Sequence, residues 1–391
     1  MLCDGVVRVR PHVTNVSFGL DQVYTFEKTG RLHSAFIRGH HYRRALDHRV
    51  LASWRIRPKG LSGMRERWVV GDEAVAMVDD IHRQVAQVGG PPWGATEHQA
   101  IDRIAGWTPG AYEADAEKFL NVYRPVSILP PDQYLSVMVQ ATEGCSWNRC
   151  TFCDFYQDQT FRIRPMAELN RHIEGVREFF GDGIGLRKSI FLGDGNALAA
   201  PFSALVNIFK SVQTGFPDNG VGPSWRETSS FVDIWGASRL SVKQIATLKE
   251  MGLCRVYLGL ETGHDGLLAK VGKRGSAKMA IDVVRRFKEA GVSVGLMVML
   301  GLGGHAFAQD HVWDTTKTLN QMGLGRDDLV YFSPLVGSSH LKYMQDMWAS
   351  NIESLSDEEM ASQYVEMLRG LQFGRTNKNK VALYNIKRFV Y

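Results

Sequence analysis

The chain has 391 residues, 44% hydrophobic and 22% charged, enough for two domains or for one large α/β domain with an extension. No run of eighteen apolar residues occurs and the start, MLCDGVVRVRPHVTN, lacks a basic-then-apolar leader, so neither a membrane span nor a secretory signal is expected. Five cysteines, three of them crowded together, do not make a disulfide framework; they fit a reducing cytoplasm, where clustered thiols bind metal or act chemically.

Charge is uneven. Residues 1–70 hold 13 Lys/Arg against 5 Asp/Glu, a balance of +8, whereas the whole chain carries +5. A basic module on a mildly acidic body predicts an anionic partner; a solvated β surface is the plain alternative.

In chain order, residues 22–57 read as two hairpins, turning at Lys28-Thr29-Gly30 and around Asp47-His48. Residues 71–89 have helical spacing and stop at Gly89-Gly90-Pro91-Pro92. A mixed stretch leads to RPVSILPPDQY (124–134), which reads as a linker. Residues 1–130 are therefore taken as an accessory domain of hairpins and helices.

From 135 the rhythm becomes strand, loop, helix. Strands are predicted at 135–142, 189–194, 227–238, 255–262, 292–302 and 329–336, with helices at 166–180, 201–212, 241–251 and 276–291. That alternation predicts a partial (β/α)6 barrel of TIM type over residues 131–340, and residues 341–391 are taken as a helical extension. Chemistry in such barrels sits at the C-terminal ends of the strands.

Cys145, Cys150 and Cys153 follow the first strand as C-x4-C-x2-C, in TEGCSWNRCTFCDFY. Zinc sites ordinarily want four protein ligands, and Cys3 and Cys254 are isolated. Three thiolates on one loop suit a [4Fe–4S] cluster with one iron left open.

This segment resembles the radical S-adenosylmethionine (SAM) superfamily, whose usual motif is C-x3-C-x2-C with an aromatic before the last cysteine. Phe152 holds the aromatic position, and SWNR puts one residue more than usual between the first two cysteines. FLGDGNAL (191–198) resembles the second-strand motif that meets the amino group of SAM, and the resemblance implies contacts from Gly193, Asp194, Gly195 and Asn196. YLGLETG (257–263) and VMLGLGG (298–304) resemble the fourth- and fifth-strand segments, which implies roles for Glu261, Met299 and Gly301. FRIRP (161–165) implies a carboxylate partner in Arg162 or Arg164, and Ser230, on the third strand, is a further candidate contact. The similarity is to the branch of coproporphyrinogen oxidase, the methylthiotransferases and the Elongator catalytic subunit.

The resemblance implies reductive cleavage of SAM to a 5′-deoxyadenosyl radical, which takes hydrogen from the substrate, with a flavodoxin or ferredoxin as electron donor. An anionic small molecule, such as a phosphorylated nucleoside or sugar, is the expected substrate. It would be clamped by arginines of the first 70 residues covering the barrel mouth, Arg43 and Arg44 among them. A tRNA substrate, and a non-catalytic iron–sulfur carrier or sensor, are the alternatives. His264 and His305, at strand ends, are candidates for acid–base work.

Overall fold

The computed structural model describes residues 3–90, 92–157, 159–337, 339–372 and 380–391. Alternation of small polar and apolar residues between Val6 and Val69 folds into one antiparallel meander. Its seven strands lie side by side in sequence order: Val6–Val9, Val13–Phe18, Gln22–Glu27, Leu32–Ile37, His40–Arg44, Val50–Lys59 and Ser62–Val69. The two expected hairpins are its middle strands. Gly30 at the first turn has φ +89, and a Cβ there would stand 2.5 Å from the Arg103 carbonyl oxygen, so glycine lets the turn lie on a helix. Helices Gly71–Ala86, Ala95–Ala105 and Pro109–Val122 follow the sheet, and Val16, Tyr24, Phe26, Ile81, Val85 and Ile104 form their common core.

The second sheet is parallel, and its first six strands run Ser136–Gln140, Ser189–Gly193, Thr228–Val232, Leu253–Glu261, Ser293–Leu300 and Leu329–Pro334. The first is buried at every position, as a strand covered on both faces must be. Helices Met166–Phe180, Phe202–Gly215, Val242–Glu250 and Ala277–Glu289 alternate with them. Two features depart from expectation. An 18-residue helix, Gly304–Gln321, fills the fifth connection, and its buried face carries His311, Thr315, Thr316 and Thr318 beside Val312 and Leu319, so the sequence shows only a thin apolar stripe there. The C-terminal extension is also not wholly helical. After helices Lys342–Ala349 and Asp357–Gly370, the short apolar segment Lys380–Leu383 returns as a seventh parallel strand beside the sixth.

The middle strands of the N-terminal sheet pack at the barrel base, whereas its last hairpin, at Gly60, reaches Asp357. Arg31 donates to the Phe179 carbonyl at 3.3 Å, and Arg187, leading into the second barrel strand, donates to Glu27 at 3.4 Å. Arg43 donates to the Arg388 carbonyl, and Leu46 N–H to that of Tyr391. These contacts lie at the barrel base and against the tail 384–391. Arg44 is buried there and Arg43 half-buried, which overturns their expected clamping of a substrate at the mouth. Among the described residues, no helix is long and apolar enough to cross a membrane.

Candidate functional site

Parallel strands bring their C-terminal ends to one mouth. Just beyond the first strand, Thr142 and Glu143 pair antiparallel with Ile163 and Arg162, pinching residues 144–161 into a closed loop that holds the three cysteines. The stem is locked by charge. Arg162 grips Glu143 at 2.6–2.7 Å and Glu168 at 2.7–3.0 Å, while Arg164 and Arg124 approach Glu143 at 3.3 and 3.0 Å. Glu143 is only 4% exposed, and a buried carboxylate demands such cations. Arg162 is therefore occupied by protein carboxylates, whereas Arg164, though paired in charge with Glu143, keeps a buried Nε without a hydrogen-bond partner.

Inside the loop, Asn148 adopts φ +48 and donates its N–H to the Cys145 sulfur at 3.4 Å. Cys153 N–H closes a turn on the Cys150 carbonyl at 3.2 Å. All three thiols are free and half-buried. Burial pushes Cys150 up to about 11 and Cys153 up to about 12, against the Lys273 ammonium, which draws both down. Among the described residues, no three His, Cys, Asp or Glu side chains converge tightly enough for a single metal ion. A four-iron cluster takes one thiolate per iron, so its ligands need not converge, and this donor set fits it. Cys254 stands apart at the opposite end of the fourth strand, beside the Ser229 hydroxyl at 3.4 Å; the side chain of Cys3 lies outside the described residues.

The end of the second strand passes directly under this loop. A Cβ on Gly195 would stand 2.1 Å from the Gly144 carbonyl oxygen, and one on Gly193 2.6 Å from the Met138 sulfur. Asp194 is buried and internally bonded: the Tyr156 hydroxyl donates to it at 2.8 Å and the Gly195 N–H at 3.0 Å. Burial holds its carboxyl above the usual range. Both bonds fall on Oδ1 and fix the loop to the strand. Asn196 differs: its amide nitrogen donates to Asp233, whereas its Oδ1 is buried without a partner.

Across the mouth, Glu261 at the end of the fourth strand has φ +62 and accepts from Lys273 Nζ at 2.9 Å. Burial would lower the lysine, but Glu261 and Cys150 together hold its ammonium above the ordinary range. Sequence reasoning missed Lys273. Its signal was the glycine-flanked VGKRGS turn after a helix, whose backbone carries the cysteine loop. Thr151 N–H donates to the Val271 carbonyl at 3.0 Å, and Trp147 Nε1 to that of Gly272 at 2.7 Å. Next to it, the Arg274 guanidinium lies 3.3 Å from the Trp235 ring centre and 5.0 Å from that of Trp147. Arg149 and Arg239, both exposed, stack on the same two indoles at 5.2 and 4.9 Å.

The remaining candidates are partly diverted. Ser230 is buried and donates to the Leu192 carbonyl at 2.9 Å. Gly301, φ +81, gives its N–H to Gln363 at 2.8 Å and faces Met360, so the helix Asp357–Gly370 covers it. Phe152 and Met299 join one apolar cluster with Leu267, Leu302 and Tyr343. His264 caps a short helix and His305 pairs with Glu359 at 3.4 Å, which leaves neither poised over the mouth.

A family model described as the radical SAM superfamily matches residues 139–318. A proline--tRNA ligase of Streptococcus pyogenes serotype M5 (strain Manfredo) is 26% identical over 255 residues, covering 56% of this chain and 40% of its own. The chain thus spans about two fifths of the length of the curated relatives it matches. Among solved structures, the radical SAM methyltransferase TsrM from Kitasatospora setae, with tryptophan and a SAM analogue bound, covers 54% of this chain and 39% of its own at 16% identity and a TM-score of 0.38. Coproporphyrinogen III oxidase (HemN) from Escherichia coli covers 61% and 53% at 13% identity and a TM-score of 0.41.

Proposed function

We propose, from the match of residues 139–318 to the radical SAM family model, that the chain cleaves SAM reductively at one [4Fe–4S] cluster held by Cys145, Cys150 and Cys153, to act on an anionic small molecule. The observation that carries the reading is three free, half-buried thiols on one pinched loop, facing a half-buried Glu261–Lys273 pair at the mouth of a parallel barrel. When bound, the cluster supplies the electron that splits SAM into methionine and a 5′-deoxyadenosyl radical, the species that takes hydrogen from substrate.

The chain's own residues do the rest. Asn196 Oδ1, buried and unpartnered, offers an acceptor for an amino N–H. Lys273 offers a fixed cation to a carboxylate, oriented by Glu261. The cage of Trp147, Trp235, Arg149, Arg239 and Arg274 supports an anionic substrate, in place of the arginines held under the barrel.

Anaerobic reconstitution with iron and sulfide, followed by SAM and a strong reductant, tests the reading: 5′-deoxyadenosine should form and require all three cysteines. A protein that binds the cluster but releases none is a carrier or sensor. A tRNA substrate is the second reading. It is favoured by His40, which lies 5.3 Å from Trp54 and 6.3 Å from Tyr42, ring centre to ring centre, near the exposed Arg38 and Arg65. Retardation of tRNA by the protein, lost on Trp54→Ala, would establish it.

A further inference from the structure

Between the N-terminal sheet and the lead-in to the second barrel strand lies a cavity of about 170 Å³. Arg43, Arg44, Arg187 and His33 line it, and Glu27 is the one carboxylate among its lining side chains. That carboxylate is shared, at 3.4 Å from Arg187 and 3.3 Å from Arg31, whose other ionic partner is Asp115. Four guanidiniums therefore meet two side-chain carboxylates and the α-carboxylate of Tyr391, which accepts the Leu46 N–H at 3.0 Å, and Arg31, Arg44 and Arg187 are all buried. A net positive charge out of water is strongly disfavoured unless an anion joins it.

The donors are incompletely used. Arg44 gives Nε to the Leu32 carbonyl at 2.7 Å and Nη1 to that of Ala45 at 2.8 Å, leaving Nη2. Arg187 Nε has no partner, in a side chain only 5% exposed. Burial pulls His33 down to about 4, so its ring is neutral near pH 7 and keeps one N–H to donate. The space far exceeds the roughly 30 Å³ that one water occupies in the liquid. Guanidinium forks match tetrahedral and planar oxyanions through paired hydrogen bonds.

We propose that this cavity binds a small oxyanion of the phosphate class, gripped by Arg43, Arg44 and Arg187, which ties the N-terminal sheet to the base of the barrel. The site is separate from the cysteine mouth and does not depend on the cluster.

The test uses the full chain, compared in inorganic phosphate, sulfate and chloride at matched ionic strength. Its Tm should rise by several degrees and saturably with phosphate, and isothermal titration should give a single site. His33→Glu places a carboxylate among the arginines; this variant should be stable without phosphate and indifferent to it. Should it fail to fold, Arg43→Gln, at the cavity edge, should weaken phosphate binding by about tenfold, the scale of one charge-assisted contact. Glycerol phosphate distinguishes the sources: binding comparable to phosphate marks a phosphorylated metabolite, and exclusion marks the free ion. Identical Tm in all three salts would overturn the proposal. So would an undiminished phosphate response in both variants, because the anion would then sit elsewhere.

Discussion

The Tyr391 hydroxyl accepts the backbone N–H of Met138 at 2.8 Å, while the carbonyl of the same Met138 accepts from the Tyr123 hydroxyl at 3.0 Å. Met138 lies in the first barrel strand, whose outer edge has no strand neighbour in the seven-stranded order. Two phenols thus do what a paired strand would do, and they fill the seam of a barrel that does not close. An unpaired edge N–H buried under the tail would be costly.

Tyr391→Phe keeps the ring and removes the acceptor. A buried donor left unsatisfied costs about 1–3 kcal/mol. Urea unfolding should show that loss with an unchanged slope. A midpoint equal to wild type would mean that water reaches the seam.

Gly195→Ala should separate folding from site assembly. A Cβ there meets the Gly144 carbonyl at 2.1 Å, so either the strand end or the cysteine loop must move. The barrel core lies elsewhere, so far-UV circular dichroism should stay near wild type. Iron content after reconstitution should fall severalfold. Full iron loading would show that the loop tolerates the shift.

The cysteines divide cleanly. Replacing Cys145, Cys150 and Cys153 together by alanine should abolish the brown colour and the bound iron. Cys254→Ala should leave both intact, since its thiol is turned towards Ser229 at the far end of its strand. Equal iron loss from Cys254→Ala would sink the assignment of the cluster to this loop.

Most of the barrel was legible because its strands are apolar runs and its helices carry one apolar stripe. Met166–Phe180, for example, buries Leu169, Ile173, Val176 and Phe180 at helical spacing. The helix Gly304–Gln321 was not legible, because hydrogen bonding to its buried His311 and threonines replaces much of the hydrophobic contact: His311 Nδ1 meets the Thr262 hydroxyl at 2.8 Å. In the site, the cysteines, the glycines and Glu261 stood out by type and spacing. Which polar side chains are already taken is invisible in one dimension. Arg162 is a candidate partner for a ligand carboxylate by sequence, yet Glu143, nineteen positions away, claims it. Lys273 was passed over, because only the fold carries it to Glu261.

Buried neutral histidines set the acid sensitivity. His172 accepts the Gln140 N–H on Nε2 at 3.0 Å and faces the Val122 carbonyl with Nδ1 at 3.0 Å, an arrangement that needs the neutral ring. Burial pushes His172 and His311 down from 6.5 to about 4. Their folded values lie below the unfolded ones, so the unfolded chain binds more protons between those limits. Stability is therefore complete above about pH 7 and is lost as pH falls from 6.5 towards 4. Asp194, raised by burial, acts in the opposite sense above its ordinary value, 3.8. Tm measured across this range should decline on acidification, and His172→Gln should make the decline shallower. A flat profile for wild type would contradict the neutral assignment.

The Glu261–Lys273 pair allows the sharpest separation of cofactor binding from cluster binding. Lys273 is within electrostatic reach of Cys150, yet neither member of the pair is on the cysteine loop. Lys273→Met removes the fixed cation and leaves the thiols in place. Iron content should match wild type, while SAM affinity, measured by equilibrium dialysis on the oxidised cluster, should weaken by about tenfold or more, as expected for losing one charge-assisted hydrogen bond. The cluster's midpoint potential should also move to a more negative value, because a positive charge beside a thiolate favours the reduced state. Glu261→Gln keeps an acceptor for Lys273 and frees the ammonium from its counter-charge, so it should leave iron intact and shift that potential upward. A Lys273→Met protein with wild-type affinity for SAM and an unmoved potential would reduce the pair to a structural brace for the loop that carries the cysteines.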